Sequence, residues 1–458
     1  MSHLKQFLSG LLGAGMLLCL SGCQWFGGPA TTQNQPKANS PESDPSISIT
    51  VLASSPLQDA FVERAAEQFC KAHDNVSIHV EYVKEGEDYD GALTKAVREG
   101  SAPVLFMLDG AQDLENWKPM LEPLSDEGWL QRVDKSALAA MNEEGKLYGV
   151  PVTISGFGLV CNQAVFRSAG IDLTEVTDFE KLRDAFSTLG EKIKSEELKS
   201  QWENLESVSE FPAASSSYLS DWVLGSLLGI EFDTATQLMQ AQSFPLKHSD
   251  GLKALVDLQA DYSRYAQEKE KLNVITMDDA SIHGLATHRI AAVLASNEIY
   301  TPISYADATA AQQLTMLPVA ISGSKQDSIL VGAPAYWCIN ANAQDTQKIA
   351  AKEFLQWLYT SQDGNQLLMK EYQLLPIIKN YPGQPPESPL AAAVLEYIRQ
   401  GRTIPYVSSG LSQEAGSQFA HGVRRYLSGD ATWEEVLSQV DEKLSKDSGA
   451  VSTENSEP

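Results

Sequence analysis

The residues of this chain best suited to chemistry with a small polar molecule stand just after short apolar runs. Asp109 follows "PVLFML" (103–108), Asn297 and Glu298 follow "AAVLAS" (291–296), and Ser55 follows "ISITVLA" (47–53). Carboxylates and amides at such positions make paired, charge-assisted hydrogen bonds to hydroxyl groups. Flat rings would cover the apolar faces of the same molecule. Tyr336, Trp337, Trp222 and Tyr406 are the candidates, with Phe157 a weaker one. Capping a helix or turn is the competing role for Asp109. Core packing competes for every one of the aromatics.

Bond-breaking chemistry is sparse by comparison. Ser322-Gly323-Ser324-Lys325 fits the S-x-x-K pattern of serine acyl-enzymes, but the companion K-T-G is absent. His283 and His288 are five apart, which splits them around a helix where H-E-x-x-H would stack them. No P-loop and no G-x-S-x-G occurs. The sequence therefore calls for no catalytic residue, no metal site and no cofactor. A lipoprotein serine hydrolase using Ser322 and Lys325 is the alternative from the enzyme class, and a surface lipoprotein with no small ligand is a third.

The elements that must position these residues read as βαβ grammar. "ISITVLA" is rich in β-branched residues, and "LQDAFVERAAEQFCKAH" carries Leu57, Phe61, Ala65 and Phe69 at helical spacing. "VSIHVEYV" alternates like a strand, "YDGALTKAVREG" suits a helix, and "PVLFML" is continuous like a buried parallel strand. Further strands are expected at 156–162 and 288–296, and a strand pair or one long strand at 328–340. Residues 178–206 are charged and helical, and helices are also expected over "SYLSDWVLGSLLG", "DTQKIAAKEFLQWLYT" and "TWEEVLSQVDEKL". Open α/β sheets bind ligands beyond the carboxyl ends of their strands, which is where Asp109, Ser55, Asn297 and Glu298 fall.

The chain has 458 residues and 43% hydrophobic content, enough for two or three domain-sized units. Its formal net charge is -26. Such a chain repels phosphate backbones, and with no basic run in it nucleic acid is excluded as a partner. The acidity leaves a polyamine or other cation open as an alternative ligand.

The amino terminus is an address. Lys5 precedes an apolar run from Phe7 to Leu20, about fourteen residues against the roughly 20 that a membrane helix needs. Leu20-Ser21-Gly22-Cys23 resembles the lipobox of bacterial lipoproteins. That resemblance implies cleavage after residue 22 and acylation of Cys23, anchoring the protein to the extracytoplasmic face of a cell membrane. Residues 23–46 read as a flexible tether and 445–458 as a disordered tail. Cys19 leaves with the signal, and Cys70, Cys161 and Cys338 remain as an odd set, so no disulfide framework is expected.

Several segments together resemble the extracellular solute-binding proteins of bacterial ABC importers. They are "GKLYGVPVTISGFGLVCNQAVFRSAGID" (145–172), "PVLFMLDGAQDLENWKPMLEPL" (103–124), "AAKEFLQWLYTSQDGNQ" (350–366), "EYQLLPI" (371–377) and the closing "ATWEEVLSQVDEKL". The resemblance implies an α/β fold of two periplasmic-binding-protein-like (type II) lobes, hinged around a cleft. Lobe 1 would take 47–153 and 315–359, and lobe 2 would take 154–314 and 360–444. Crossings would fall near 152–155, 313–317 and 360–363. It further implies a sugar or similar solute as ligand and permease subunits as partners. Glu298 stands where that family often has Trp, and Met107 where an aromatic is common, which argues mildly against a long oligosaccharide.

Overall fold

Strand by strand, the chain builds two sheets that meet at their ends. In chain order the strands are β1 (Ile47–Ala53), β2 (Val76–Tyr82), β3 (Leu105–Leu108), a small hairpin of β4 (Asn142–Glu143) and β5 (Lys146–Leu147), β6 (Val150–Pro151), β7 (Ser155–Asn162), β8 (Ser207–Ser209), β9 (Ile290–Ser296), β10 (Leu314–Leu317), β11 (Ile329–Gly332), β12 (Tyr336–Ile339) and β13 (Thr403–Pro405). The structure is a computed structural model. It describes residues 47–54, 59–84, 87–241, 244, 246–379 and 386–454, the last ten of these as backbone alone. Ser55, Cys23 and the tether lie outside the described residues.

The first sheet runs β2-β1-β3-β12-β6. β1 is parallel to β2 and β3, while β12 is antiparallel to β3 and β6. Every residue of β3 is buried, as its unbroken apolar run requires. The helices Ala60–Ala72 and Asp345–Thr360 cover this sheet, and their Phe69 and Phe354 meet edge to face at 5.4 Å. The second sheet runs β13-β11-β7-β9-β8. β7 is its spine: β9 pairs along one edge, and β11 and β10 share the other, β11 at the Ser155 end and β10 at the Asn162 end. Its apolar faces pack separately, Phe157 and Leu159 into one cluster and Val160 with Val293 into another.

The first passage between the sheets falls where expected, near 152–155, and the other two do not. β6 ends at Pro151 in the first sheet and β7 opens at Ser155 in the second. Residues 313–317 form no crossing, because β10 pairs with β7 in the second sheet. "SILVGAPAYWCIN" is two strands in two different sheets, so the chain crosses at Ala333–Ala335, where Pro334 cannot continue a ladder. Nor does the chain leave the first core at 360–363, since Leu367, Leu368, Ile377 and Ile378 still pack in it. The expected disordered tail is also shorter, because the closing helix runs Trp433–Glu454. Its early turns are anchored by Trp433, Val436, Val440 and Leu444, and extending a formed helix adds one bond per residue fixed.

Phe354→Ala should cost about 3–5 kcal/mol, the usual price of emptying a fully packed aromatic site. A urea unfolding curve read by circular dichroism checks this.

Candidate functional site

Asp109 follows β3, and its backbone N–H donates to Asp113 Oδ2 at 2.7 Å. Gly110 then starts the helix Ala111–Trp117, with no side-chain cap. The capping role expected as an alternative for Asp109 is therefore not taken. Its carboxylate is exposed, yet protein crowds it from both sheets. Burial pushes its pKa up to about 7, and the neighbouring charges of Asp113, Asp90 and Asp221 push in the same direction. Asp113 is raised to about 6, first by burial.

The second sheet supplies the facing groups. Asn297 and Glu298 follow β9, as expected. Asn297 is buried and its Oδ1 accepts from the Gly156 N–H at 2.8 Å, so this oxygen fixes β7 to β9. Glu298 accepts a hydrogen bond from Ser155 Oγ at the start of β7. The residue is exposed, yet protein crowding around its carboxylate raises its pKa, with Asp59 adding to the effect. Asp221 was not picked out from the sequence. It lies on the π-helical segment Tyr218–Leu224, where Ser220 Oγ donates to Oδ1 at 2.5 Å. Burial pushes it up to about 6. Its signal was its neighbour Trp222, which was picked out.

The aromatics divide by strand alternation. Tyr336 and Trp337 are consecutive on β12, so they point to opposite faces. Trp337 is fully buried in the first core, donating from Nε1 to Tyr359 Oη at 3.1 Å. This removes Trp337 from the ligand-facing set. Tyr336 faces the other way and reaches the junction of the lobes. Tyr406, just after β13, packs against Trp222 with centroids 5.2 Å apart and planes tilted by 50°. Phe157 lies beneath Trp222, stacked at 5.4 Å. The Tyr406 hydroxyl is held well above its ordinary pKa by burial, then by the fields of Asp221, Asp109, Tyr336 and Glu298. Tyr336 and Tyr406 also line a cavity of about 860 Å³ between the lobes, walled by Ile154, Ala333, Ile377 and Pro405 among others.

Two glycines allow this approach. A Cβ on Gly332 would lie 2.3 Å from the Tyr406 Cβ, so β11 can carry that ring only as glycine. Gly110 has φ +131, and a Cβ there would lie 2.7 Å from the Cβ of Ser409. Ser409 belongs to the second lobe's segment Ser408–Gly410, so Gly110 is where one lobe touches the other.

Ser322 and Lys325 stand exposed in a surface turn with no hydrogen bond between them, so the hydrolase arrangement of nucleophile and base is not formed. His283 is exposed, and His288 sits edge-on to Trp202 at 5.0 Å. Among the described residues no group of acidic, histidine or cysteine side chains could hold a metal ion.

Two lobes, each closing on strand ends, with a polar and aromatic junction between them, define a binding protein of the periplasmic type. Residues 64–393 match the bacterial extracellular solute-binding protein family, and the chain belongs to it. Membership places the protein outside the cytoplasm. No described helix is long and apolar enough to cross a membrane. No curated protein matches the sequence. Among solved structures the fold is similar to a chitin oligosaccharide binding protein, at 16% identity and TM-score 0.68, over 89% of this chain and 100% of that one. It is also similar to a maltose-bound T. maritima MalE3 (14%, TM-score 0.66, 87% and 99%) and to RafE in complex with raffinose (15%, TM-score 0.66, 88% and 99%).

The raised carboxylates bind protons in the folded protein that the unfolded chain has already released. Their contribution to stability is complete below the ordinary carboxylate range and is lost as pH rises through about 6 to 7. The ligand-free melting temperature should therefore fall over that window, and Asp221→Asn should recover about 2 °C of it at pH 8 in a thermal scan. Gly110→Ala should hold the lobes apart and raise the ligand Kd about tenfold while the two cores stay folded, as read by titration calorimetry.

Proposed function

We propose that the protein is the solute receptor of an ABC importer. It captures a sugar or similar small polar solute between its lobes and presents it to permease subunits. Its lobes are 47–153 with 333–379, and 154–332 with 388–444. Acylation of Cys23 holds it to the extracytoplasmic face of a membrane, with residues 23–46 as tether. No bond is made or broken in this cycle, and the lack of a hydrogen bond between Ser322 and Lys325 supports that reading.

The observation that carries the proposal is the meeting of Asp109 and Tyr336 from one lobe with Asp221, Glu298 and the Trp222–Tyr406 pair from the other. Carboxylates of this kind accept from hydroxyls, and the rings suit an apolar sugar face. The solved proteins of similar fold include carbohydrate complexes, which supports the same class. In this reading Asp109, Asp221, Glu298, Trp222, Tyr336 and Tyr406 touch the solute, and Asn297 positions its neighbour Glu298.

Among a panel of saccharides at least one should raise the melting temperature through binding to the native state. Asp109→Ala should weaken that binding about tenfold or more without loss of fold. A panel with no shift at all would end the receptor reading. Mass spectrometry of the mature amino terminus should find a diacylglyceryl group on Cys23, and an unmodified cysteine would end the anchoring claim.

A further inference from the structure

Elsewhere in this protein, enclosed acids are given a base. Glu210 bonds Arg264 at 3.0 Å, Glu122 bonds Lys352 at 3.0 Å and lies 3.4 Å from Lys348, and Glu231 meets His248 at 2.9 Å. The junction between the lobes breaks this pattern. The charges acting on Asp109 are Asp113, Asp90 and Asp221. The one charged group acting on Glu298 is Asp59, and those acting on Tyr406 are Asp221, Asp109 and Glu298. Among the described residues no Lys, Arg or His acts on Asp109 or Glu298. Asp109 and Glu298 keep surface open to solvent and Asp221 is half-buried, so water screens part of their mutual repulsion, but no counter-charge offsets the rest.

Two further features point to a guest. The Tyr336 hydroxyl belongs to a residue only 3% exposed, and no described group bonds it. Ser409 Oγ, on a residue 7% exposed, is likewise without a partner and lies 3.1 Å from where a Gly110 Cβ would be. Ser409 Oγ is buried and unpartnered beside Gly110, the Tyr336 ring approaches the same glycine, and each hydroxyl has an acceptor to offer an N–H donor. The tilted Trp222–Tyr406 pair adds two ring faces beside Asp221, the geometry that attracts an ammonium group.

We infer that the captured solute carries its own counter-charge: a saccharide bearing at least one free, protonated amine, which sits among Asp109, Asp221 and Glu298 against the Trp222–Tyr406 pair. This rests on the sugar-receptor reading and narrows it. The amine replaces the missing base, and the remaining hydroxyls bond the remaining carboxylate oxygens.

The test is calorimetric titration of the purified protein at neutral pH with a matched pair, glucosamine tetramer and its fully N-acetylated form. Maltotriose, raffinose and spermidine complete the set. The free-amine tetramer should bind at least about tenfold tighter than the acetylated one, and its affinity should fall with added salt. Asp109→Asn and Asp221→Asn, which keep side-chain shape and relieve repulsion, should each shrink that preference. Equal or tighter binding of the acetylated tetramer, maltotriose or raffinose would overturn the inference while leaving the sugar receptor standing. Binding of spermidine with no saccharide binding would overturn both.

Discussion

Like charges crowded together by protein repel one another even where water reaches them, and the junction of the two lobes has to live with that repulsion. Asp109 comes from one sheet, Asp221 and Glu298 from the other side, and each is raised by its enclosure. Separating the lobes would open all three further to water. Bringing them together needs protons or a guest. The placing of glycine at 110, the reach of the buried Tyr336 ring to that glycine and the support of Trp222 by Phe157 all serve a junction whose closure is conditional on what fills it.

Much of the fold was legible because its signals were local. The β-branched run at 47–53, the apolar run at 103–108 and the helical spacing of Phe61, Ala65 and Phe69 each specify their element without reference to the rest. The position of Asp109 followed from the same logic, since a residue after a buried parallel strand has to emerge at the sheet's carboxyl edge. The crossings were less legible. Residues 328–340 look like continuous strand because both halves are apolar, and only tertiary pairing decides that Ile329–Gly332 joins β7 while Tyr336–Ile339 joins β3.

The site was legible in part for a similar reason. Tyr336 and Trp337 share a motif, and the single-residue alternation that sends one to the junction and the other to the core depends on register. Asp221 was hidden because a lone acid within an apolar helix reads as a solvated position, and only Trp222 beside it pointed to a site. A long-range contact helps place it: Ser408 Oγ donates to the Asp221 backbone carbonyl at 2.6 Å across 187 positions of sequence. Ser409 is hidden in the same way, since its role is defined by the bare backbone of Gly110 in the opposite lobe.

The link Ala333–Pro334–Ala335 between β11 and β12 has one further meaning. It joins two sheet strands with almost no slack, and its proline holds one torsion fixed. On either side stand Gly332, which carries the Tyr406 ring, and Tyr336. Such a joint acts as a short lever arm. A small turn of one sheet against the other shifts the two tyrosines by little, yet sweeps the outer rims of the lobes through a much larger arc. The surface most changed by a captured solute is therefore the one farthest from it, where another protein can read the difference without touching the solute itself.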